Sequence, residues 1–394
     1  MILYSYFILF ISILSAFNNP KVSEHSIQSY QIGNLPSIDA GGNPGVAGAF
    51  SGISEGKLII AGGANFPYKM PWAGGTKIFH DRIYIYSLKN DEFKLIDSNQ
   101  TFPEKVAYGS SVTLPEGILT IGGNNLGRCF DDVHLLRWNN NENKIEIEQY
   151  PSLPFPLSNC SSVLVNNCVF VLGGSKYSDT HSSGNYFLKL DLSRKGTAEF
   201  KWEILPEFPG LGRALAVVCS QYVKNQQYIF LFSGRHISEK NEITVLTDGI
   251  CYDLKQGKWL HLPAINFEVM AGTAFARNKS EIVLIGGAPA NLFYKEIDLK
   301  NKVKEYAPNT DQVKLAQKTL IDYYLNHPGF SHNIMVFSTA KNTLVKIGEF
   351  SDFCPVTTNA IPFKDGVILP SGEIKPGIRT PKIFYVGNKN PFNN

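Results

Sequence analysis

An apolar run that ends in Gly-Gly or Ser-Gly occurs six times in this chain, as Lys57–Gly63, Gly117–Gly123, Cys168–Gly174, Tyr228–Gly234, Glu281–Gly287 and Gly366–Gly372. The last glycines of successive copies stand 60, 51, 60, 53 and 85 residues apart. A repeat of that length is one supersecondary unit that cannot bury its own apolar surface and must stack on its neighbours. The surroundings repeat as well. A stretch rich in small residues precedes each run, as in Val46–Ser51, Ala107–Val112, Asn159–Leu164, Ala214–Cys219 and Ala271–Ala276. A strand-like stretch follows, such as Asp81–Tyr86, Asp132–Leu136, Tyr186–Leu190 or Gly249–Asp253. A fourth then often carries an aromatic, as in Phe93–Ile96, Trp202–Leu205 and Trp259–Leu262. Four strands per repeat predict a four-stranded sheet, and small side chains suit the innermost strand of a ring, where sheets crowd the axis. The glycine pair lets backbones approach closely where the second strand ends. A pair of β-sandwiches does not explain this period.

The unit resembles the kelch repeat, and six copies imply an all-β, six-bladed kelch-type β-propeller. The sixth blade has three strands at the C-terminal end, around Asn359–Phe363, Gly366–Leu369 and Lys382–Val386. Its fourth is supplied by Ser26–Gly33, which is followed by Leu35-Pro36 as other fourth strands are followed by Leu-Pro. That N-terminal strand clasps the ring and removes an exposed edge. The propeller spans 26–388. The long fifth interval holds Asp311–Leu325, whose apolar residues follow a helical stripe. It predicts a helical insertion over about 309–327, capped by Asn309 or Asp311 and stopped by Pro328-Gly329, after the second strand of blade five. Such a helix serves as surface decoration, as a lid, or as a homodimer contact.

The balance of charge, 37 Lys+Arg against 34 Asp+Glu with no basic block, gives no reason to expect nucleic acid as a partner. Residues 2–16 form an apolar run ending in small residues, too short for a comfortable membrane span. It predicts a signal peptide over 1–19, cleaved near Ala16, and hence a periplasmic or secreted protein, although no Lys or Arg precedes the apolar stretch. Six cysteines are present, none in Cys-x-x-Cys or at zinc-like spacing from histidines. An exported chain permits a disulfide or two among them, yet Cys160, Cys168 and Cys219 sit inside apolar strands, where buried free thiols are expected.

Chemistry concentrates on Ser371–Thr380, which reads as a loop holding Pro376-Gly377 between two strands. Glu373 can accept a proton there, and Arg379 can hold a planar anion through two hydrogen bonds. Loops after strand two and loops between blades open on one face of a propeller. That face therefore collects Asn65 with its loop to Trp72 from blade one, Asn124, Asn125 and Arg128 from blade two, and Arg213, Arg235 and His236 from blade four. A mouth ringed by arginines suits a small anionic ligand. Taken singly, each arginine equally fits an inter-blade hydrogen bond, and Glu373 with Arg379 equally fits a surface ion pair.

The chain resembles the N-acetylneuraminate epimerase family, the sialic acid mutarotases, over residues 26–388. Ser-Gly-Glu373-Ile-Lys-Pro-Gly-Ile-Arg379-Thr matches the family's Gly-Glu-x-Lys-Pro-Gly-x-Arg-Thr segment. Val46–Ser54 and Ile59–Ala64 match a second segment, and the predicted helix falls where the family has a helical insertion. The blade order is rotated: in better-known members the glutamate loop is mid-chain, so this chain resembles a cyclically permuted branch. The resemblance implies interconversion of the α and β anomers of N-acetylneuraminate through the open-chain keto form. Glu373 is then the base, and Arg379 holds the substrate carboxylate or steadies a developing oxyanion. Arg213, Arg235, Arg128, Asn65 and Asn124 stand as substrate-binding candidates. No metal or redox cofactor is expected, since no electron moves. A kelch module that binds glycans or a protein without catalysis would not need the Glu/Arg pair. A copper oxidase resembling galactose oxidase would need a Tyr/His ligand set that the scattered histidines do not supply.

Overall fold

The six apolar runs are the second strands of six four-stranded antiparallel sheets in the computed structural model. The structure describes residues 27–392, apart from 39–40, 90–91, 178–181, 307 and 309. The signal peptide expected over 1–19 and the capping candidate Asn309 lie outside the described residues. Blade one runs outward through Phe50–Ser54, Lys57–Ala61, Arg82–Ser87 and Lys94–Thr101. Blades two to five repeat that order around the second strands Gly117–Ile121, Cys168–Leu172, Gln226–Ile237 and Glu281–Ile285. Every residue of Lys57–Ala61 and Gly117–Ile121 is buried, because these strands have a neighbouring sheet on both faces. Apart from Lys57 at the strand start and Thr120, their sequences are apolar for the same reason. The outermost strand Lys94–Thr101 is largely exposed and reads polar.

Blade six closes the ring as the sequence predicts. It comprises Ile361–Phe363, Gly366–Lys375, Ile378–Gly387 and the N-terminal strand Gln28–Asn34. The last pairing is antiparallel, from Gln28 opposite Gly387 to Asn34 opposite Lys382. Ile27 is buried among Val367, Phe384 and Val386 of its own blade and Val283 and Ile285 of blade five.

A second closure lies at the axis. Gly48, Tyr108, Asn159, Leu215, Ala271 and Thr357, one ahead of the first strand of each blade, all have left-handed backbone conformations, with φ between +51° and +67°. The N–H of each donates to the carbonyl of its counterpart in the preceding blade: Tyr108 to Gly48 (2.8 Å), Asn159 to Tyr108 (2.6 Å), Leu215 to Asn159 (3.0 Å), Ala271 to Leu215 (2.8 Å), Thr357 to Ala271 (2.8 Å) and Gly48 to Thr357 (2.8 Å). Six hydrogen bonds thus close a circle in which each blade satisfies the next blade's backbone. The small-residue stretches seen in the sequence supply this turn and then the inner strand. Gly48 is required here, since a Cβ on it would lie 2.6 Å from the Tyr108 ring.

The insertion after strand two of blade five holds two helices rather than the one expected. Helix α1, Ala290–Glu305, precedes α2, Asp311–Leu325, and the two pack as an antiparallel pair. α1 has no fully buried residue, so it lacks the clean apolar stripe that betrays α2. Thr310 caps α2, its hydroxyl accepting from the Val313 N–H at 3.3 Å. Glu268 accepts from the Ala290 N–H at 2.7 Å and steadies the start of α1. The described cysteines are all free thiols. Burial pushes the Cys160 and Cys219 thiols up to about 12, where they are inert.

Candidate active site

The segment around Glu373 is a hairpin rather than a loop. Its strands continue to Lys375 and restart at Ile378, so only Pro376 and Gly377 turn. Glu373 and Arg379 face each other across the two strands. Cross-strand pairing puts both side chains on one face more firmly than a loop does. Arg379 Nη1 lies 3.3 Å from Glu373 Oε1, and the Gly377 N–H donates to the same oxygen at 2.8 Å. The second carboxylate oxygen, Oε2, has no hydrogen-bond partner among the described residues. Arg379 Nη2 donates to the Tyr108 hydroxyl at 3.3 Å, and the guanidinium lies 4.9 Å from the centre of the Phe66 ring. The Arg379 side chain is only 3% exposed and that of Glu373 19%, so the pair is shielded from bulk screening.

One rule of the repeat delivers these groups. The residue after each glycine pair bridges to the residue before the axial turn, as in Ala64 with Ala47, Asn124 with Ala107, Ser175 with Ser158, Arg235 with Ala214 and Glu373 with Val356. Arg235 and Glu373 therefore hold equivalent positions in blades four and six. Those blades also carry the long second-to-third-strand hairpins that rise past the ring.

Arg235, Glu373 and Arg379 converge on a cavity of about 510 Å³. Its floor is the axial turn, through Tyr108, Asn159, Leu215, Ala271 and Thr357. Lys77 adds a cation, its Nζ 4.7 Å from the centre of the Tyr108 ring. Trp72, Phe66, Met270 and Phe330 supply apolar surface. The helical pair contributes Phe293, Glu296, Lys300, Leu320 and Tyr324. It is seated by stacking of Tyr324 on Trp72, with ring centres 4.8 Å apart, and by the Tyr294 hydroxyl, which accepts from the Val245 N–H of blade four at 2.8 Å. Tyr324 donates to Glu296 at 2.9 Å, and Lys300 pairs with the same carboxylate. Burial, reinforced by Glu296, holds the Tyr324 phenol protonated well above the usual range. Below the floor a polar shaft of about 170 Å³ follows the axis, lined by serines and threonines of the inner strands.

The remaining candidates lie outside this cavity. Arg128 is half-exposed and pairs with Asp132 (3.2 Å) and Glu104 (3.5 Å). Arg213 is 1% exposed and grips Asp248 through both terminal nitrogens, at 2.9 and 3.1 Å. It stands two residues before the axial turn, where the other blades place Val46, Val106, Leu157, Val269 and Pro355. That is an inter-blade core position, so its guanidinium braces blade four. Arg213→Ala is expected to lower stability by about 2–4 kcal/mol, through lost packing of a fully buried side chain, as read by denaturant unfolding. Asn65 is buried, donating to the Gly45 carbonyl at 2.8 Å and pairing with His80 at 2.9 Å. Burial holds the His80 ring below the usual imidazole range. Asn124 is buried in blade two at the position equivalent to Glu373 and does not line the cavity. Tyr108 is absent from the sequence-derived candidates, although it is the one aromatic at a position that is Gly48 in blade one and Ala271 in blade five. Lys77, in the blade-one loop, carries no sequence signal, and Glu296 and Tyr324 carry only that of the insertion.

The family model for N-acetylneuraminate epimerase matches residues 15–145 and 150–390. The chain belongs to the N-acetylneuraminate epimerase family. Relatives named N-acetylneuraminate epimerase include one from Salmonella paratyphi B, 26% identical over 241 residues, and one from Yersinia pestis, 27% identical over 244 residues. These matches cover 59% and 60% of this chain and 57% of each relative, so the chain spans a little over half the length of the relatives it matches. The solved structure of YjhT superposes with a TM-score of 0.58 at 16% identity, covering 86% of this chain and 94% of that one, which establishes a shared fold.

Proposed function

We propose that this protein is a sialic acid mutarotase, interconverting the α and β anomers of N-acetylneuraminate by opening and closing the sugar ring. The observation that carries the reading is the shielded Glu373–Arg379 pair at the cavity, with one carboxylate oxygen held and the other uncommitted. Glu373 Oε2 removes the proton of the anomeric hydroxyl. Oε1, fixed by the Gly377 N–H and Arg379, sets the direction of that oxygen. Arg379, Arg235 and Lys77 surround the substrate carboxylate with positive charge, and a guanidinium fork fits it through two hydrogen bonds. The apolar surface of Trp72, Phe293 and Leu320 suits the N-acetyl methyl and the carbon skeleton. Ring opening is a proton exchange with no change in oxidation state, so general acid–base groups suffice.

A rotated blade order accords with this activity, because a ring built from equivalent blades keeps the same mouth wherever the chain is cut. It also limits how much of a relative a collinear match spans. The N-terminal apolar run is consistent with an exported protein that meets the sugar outside the cytoplasm. The direct test is proton NMR of freshly released α-N-acetylneuraminate with and without the protein. Equilibration several-fold faster than in buffer is expected; equal rates would overturn the assignment.

A further inference from the structure

Ring opening needs a proton donor for the ring oxygen as well as a base for the anomeric hydroxyl, and Glu373 supplies only the second. We propose that Tyr108 is the general acid, a role that rests on the mutarotase reading. Among the hydroxyls lining the cavity, Tyr324 donates to Glu296 at 2.9 Å and Thr357 to the Val356 carbonyl at 2.7 Å, so both protons are committed. The Tyr108 hydroxyl instead accepts, from Arg379 Nη2, and donates to no acceptor among the described residues. A phenol that accepts one hydrogen bond from a cation keeps its own proton for a ligand. Glu373 and Tyr108 lie on the two terminal nitrogens of one guanidinium, so Arg379 holds base and acid side by side.

Two cations lie against this phenol. The charged groups facing Tyr108 are Arg379 at its hydroxyl and Lys77 Nζ over its ring, with Glu373 reached only across Arg379. Both nearest charges are positive, so the pair leaves no anion competing for the Tyr108 proton at the hydroxyl. The backbone is specialised as well. Tyr108 has φ +59°, a left-handed conformation unusual for a bulky residue, held by the N–H it gives to Gly48 and the carbonyl it offers Asn159. Phe79 packs edge-on against the ring, with centres 6.2 Å apart. The hydroxyl is therefore fixed by the same axial circle that closes the propeller.

The step balances. Glu373 takes the proton of the anomeric hydroxyl, and the anomeric carbon–oxygen bond becomes a carbonyl. The bond from the anomeric carbon to the ring oxygen breaks, its electron pair stays on that oxygen, and Tyr108 protonates it. After the ketone presents its other face, the sugar hydroxyl attacks and returns its proton to the Tyr108 phenolate. The carbonyl oxygen then takes the proton back from Glu373, leaving both groups as they began.

The test compares wild type with Tyr108→Phe by anomerisation kinetics across substrate concentration and pH, with thermal unfolding as the check on folding. Loss of kcat by about 10²–10³-fold is expected, with KM changed by less than about threefold. Unchanged kcat with raised KM would reduce Tyr108 to a prop for Arg379 and overturn the proposal, as would unchanged kinetics. Should the Phe variant not fold, Tyr108→Gly carries the same comparison, because blade one uses Gly48 at this turn. Failure of the wild type itself to accelerate anomerisation would instead sink the mutarotase reading, before any variant is compared.

Discussion

Glu373→Gln abolishes the acceleration of anomerisation while the protein stays folded; a loss of about 10²–10⁴-fold is expected for removal of a general base. The amide keeps the carbonyl that accepts from Gly377 and keeps the volume of the side chain. It loses the basic oxygen and the charge opposite Arg379. The carboxylate is partly exposed and lies outside the inter-blade core, so the change in stability is small beside the change in rate. Denaturant unfolding together with NMR anomerisation separates the two effects. A folded Gln variant with the wild-type rate would assign the base to another group, and Glu296, already tied to Tyr324 and Lys300, would be the next to substitute.

Truncation that removes the clasp strand, leaving a chain that starts at Leu35, is expected to cost about 5 kcal/mol or more. Loss of a buried isoleucine such as Ile27 alone accounts for about 2–5 kcal/mol. Gln28–Asn34 also takes with it the ladder to Ile378–Gly387 and the Ser29 hydroxyl that accepts from the Ser351 N–H at 2.8 Å. The freed edge of Ile378–Gly387 would then invite pairing with another chain. Denaturation midpoints and light scattering read both consequences. An unchanged midpoint without aggregation would mean that the axial circle alone holds the ring.

The repeat was legible because its chemistry is local. A strand covered on both faces must be largely apolar, and a chain that reverses against neighbouring blades must be glycine there; Lys57–Gly63 and its five counterparts record both demands in consecutive residues. The clasp was legible for a related reason: blade six lacked a strand at one end and the other end supplied one. The helix Asp311–Leu325 announced itself by its stripe, whereas Ala290–Glu305 packs too lightly to leave one. At the site, Glu373 and Arg379 were readable as a pair because they are six residues apart on one hairpin. Arg213 and Arg235 were indistinguishable by type, and their fates diverge by position. Arg213 stands in a register that other blades fill with Val, Leu or Pro and is itself buried, pairing with Asp248, while Arg235 follows the glycine pair and faces the cavity. That distinction is available only once the six repeats are superposed on the axial turn.

By itself the sequence determined the number of blades, their strand order, how the ring closes and which hairpin bears the acid–base pair, since each of these is written in residues close together along the chain. Tertiary structure decided which distant groups meet there: Tyr108 from blade two against Arg379 of blade six, Lys77 over the Tyr108 ring, and Tyr324 of the helical pair stacked on Trp72. The physical reason is that such encounters depend on rotation of whole blades about a common axis, and no spacing along the chain encodes that rotation.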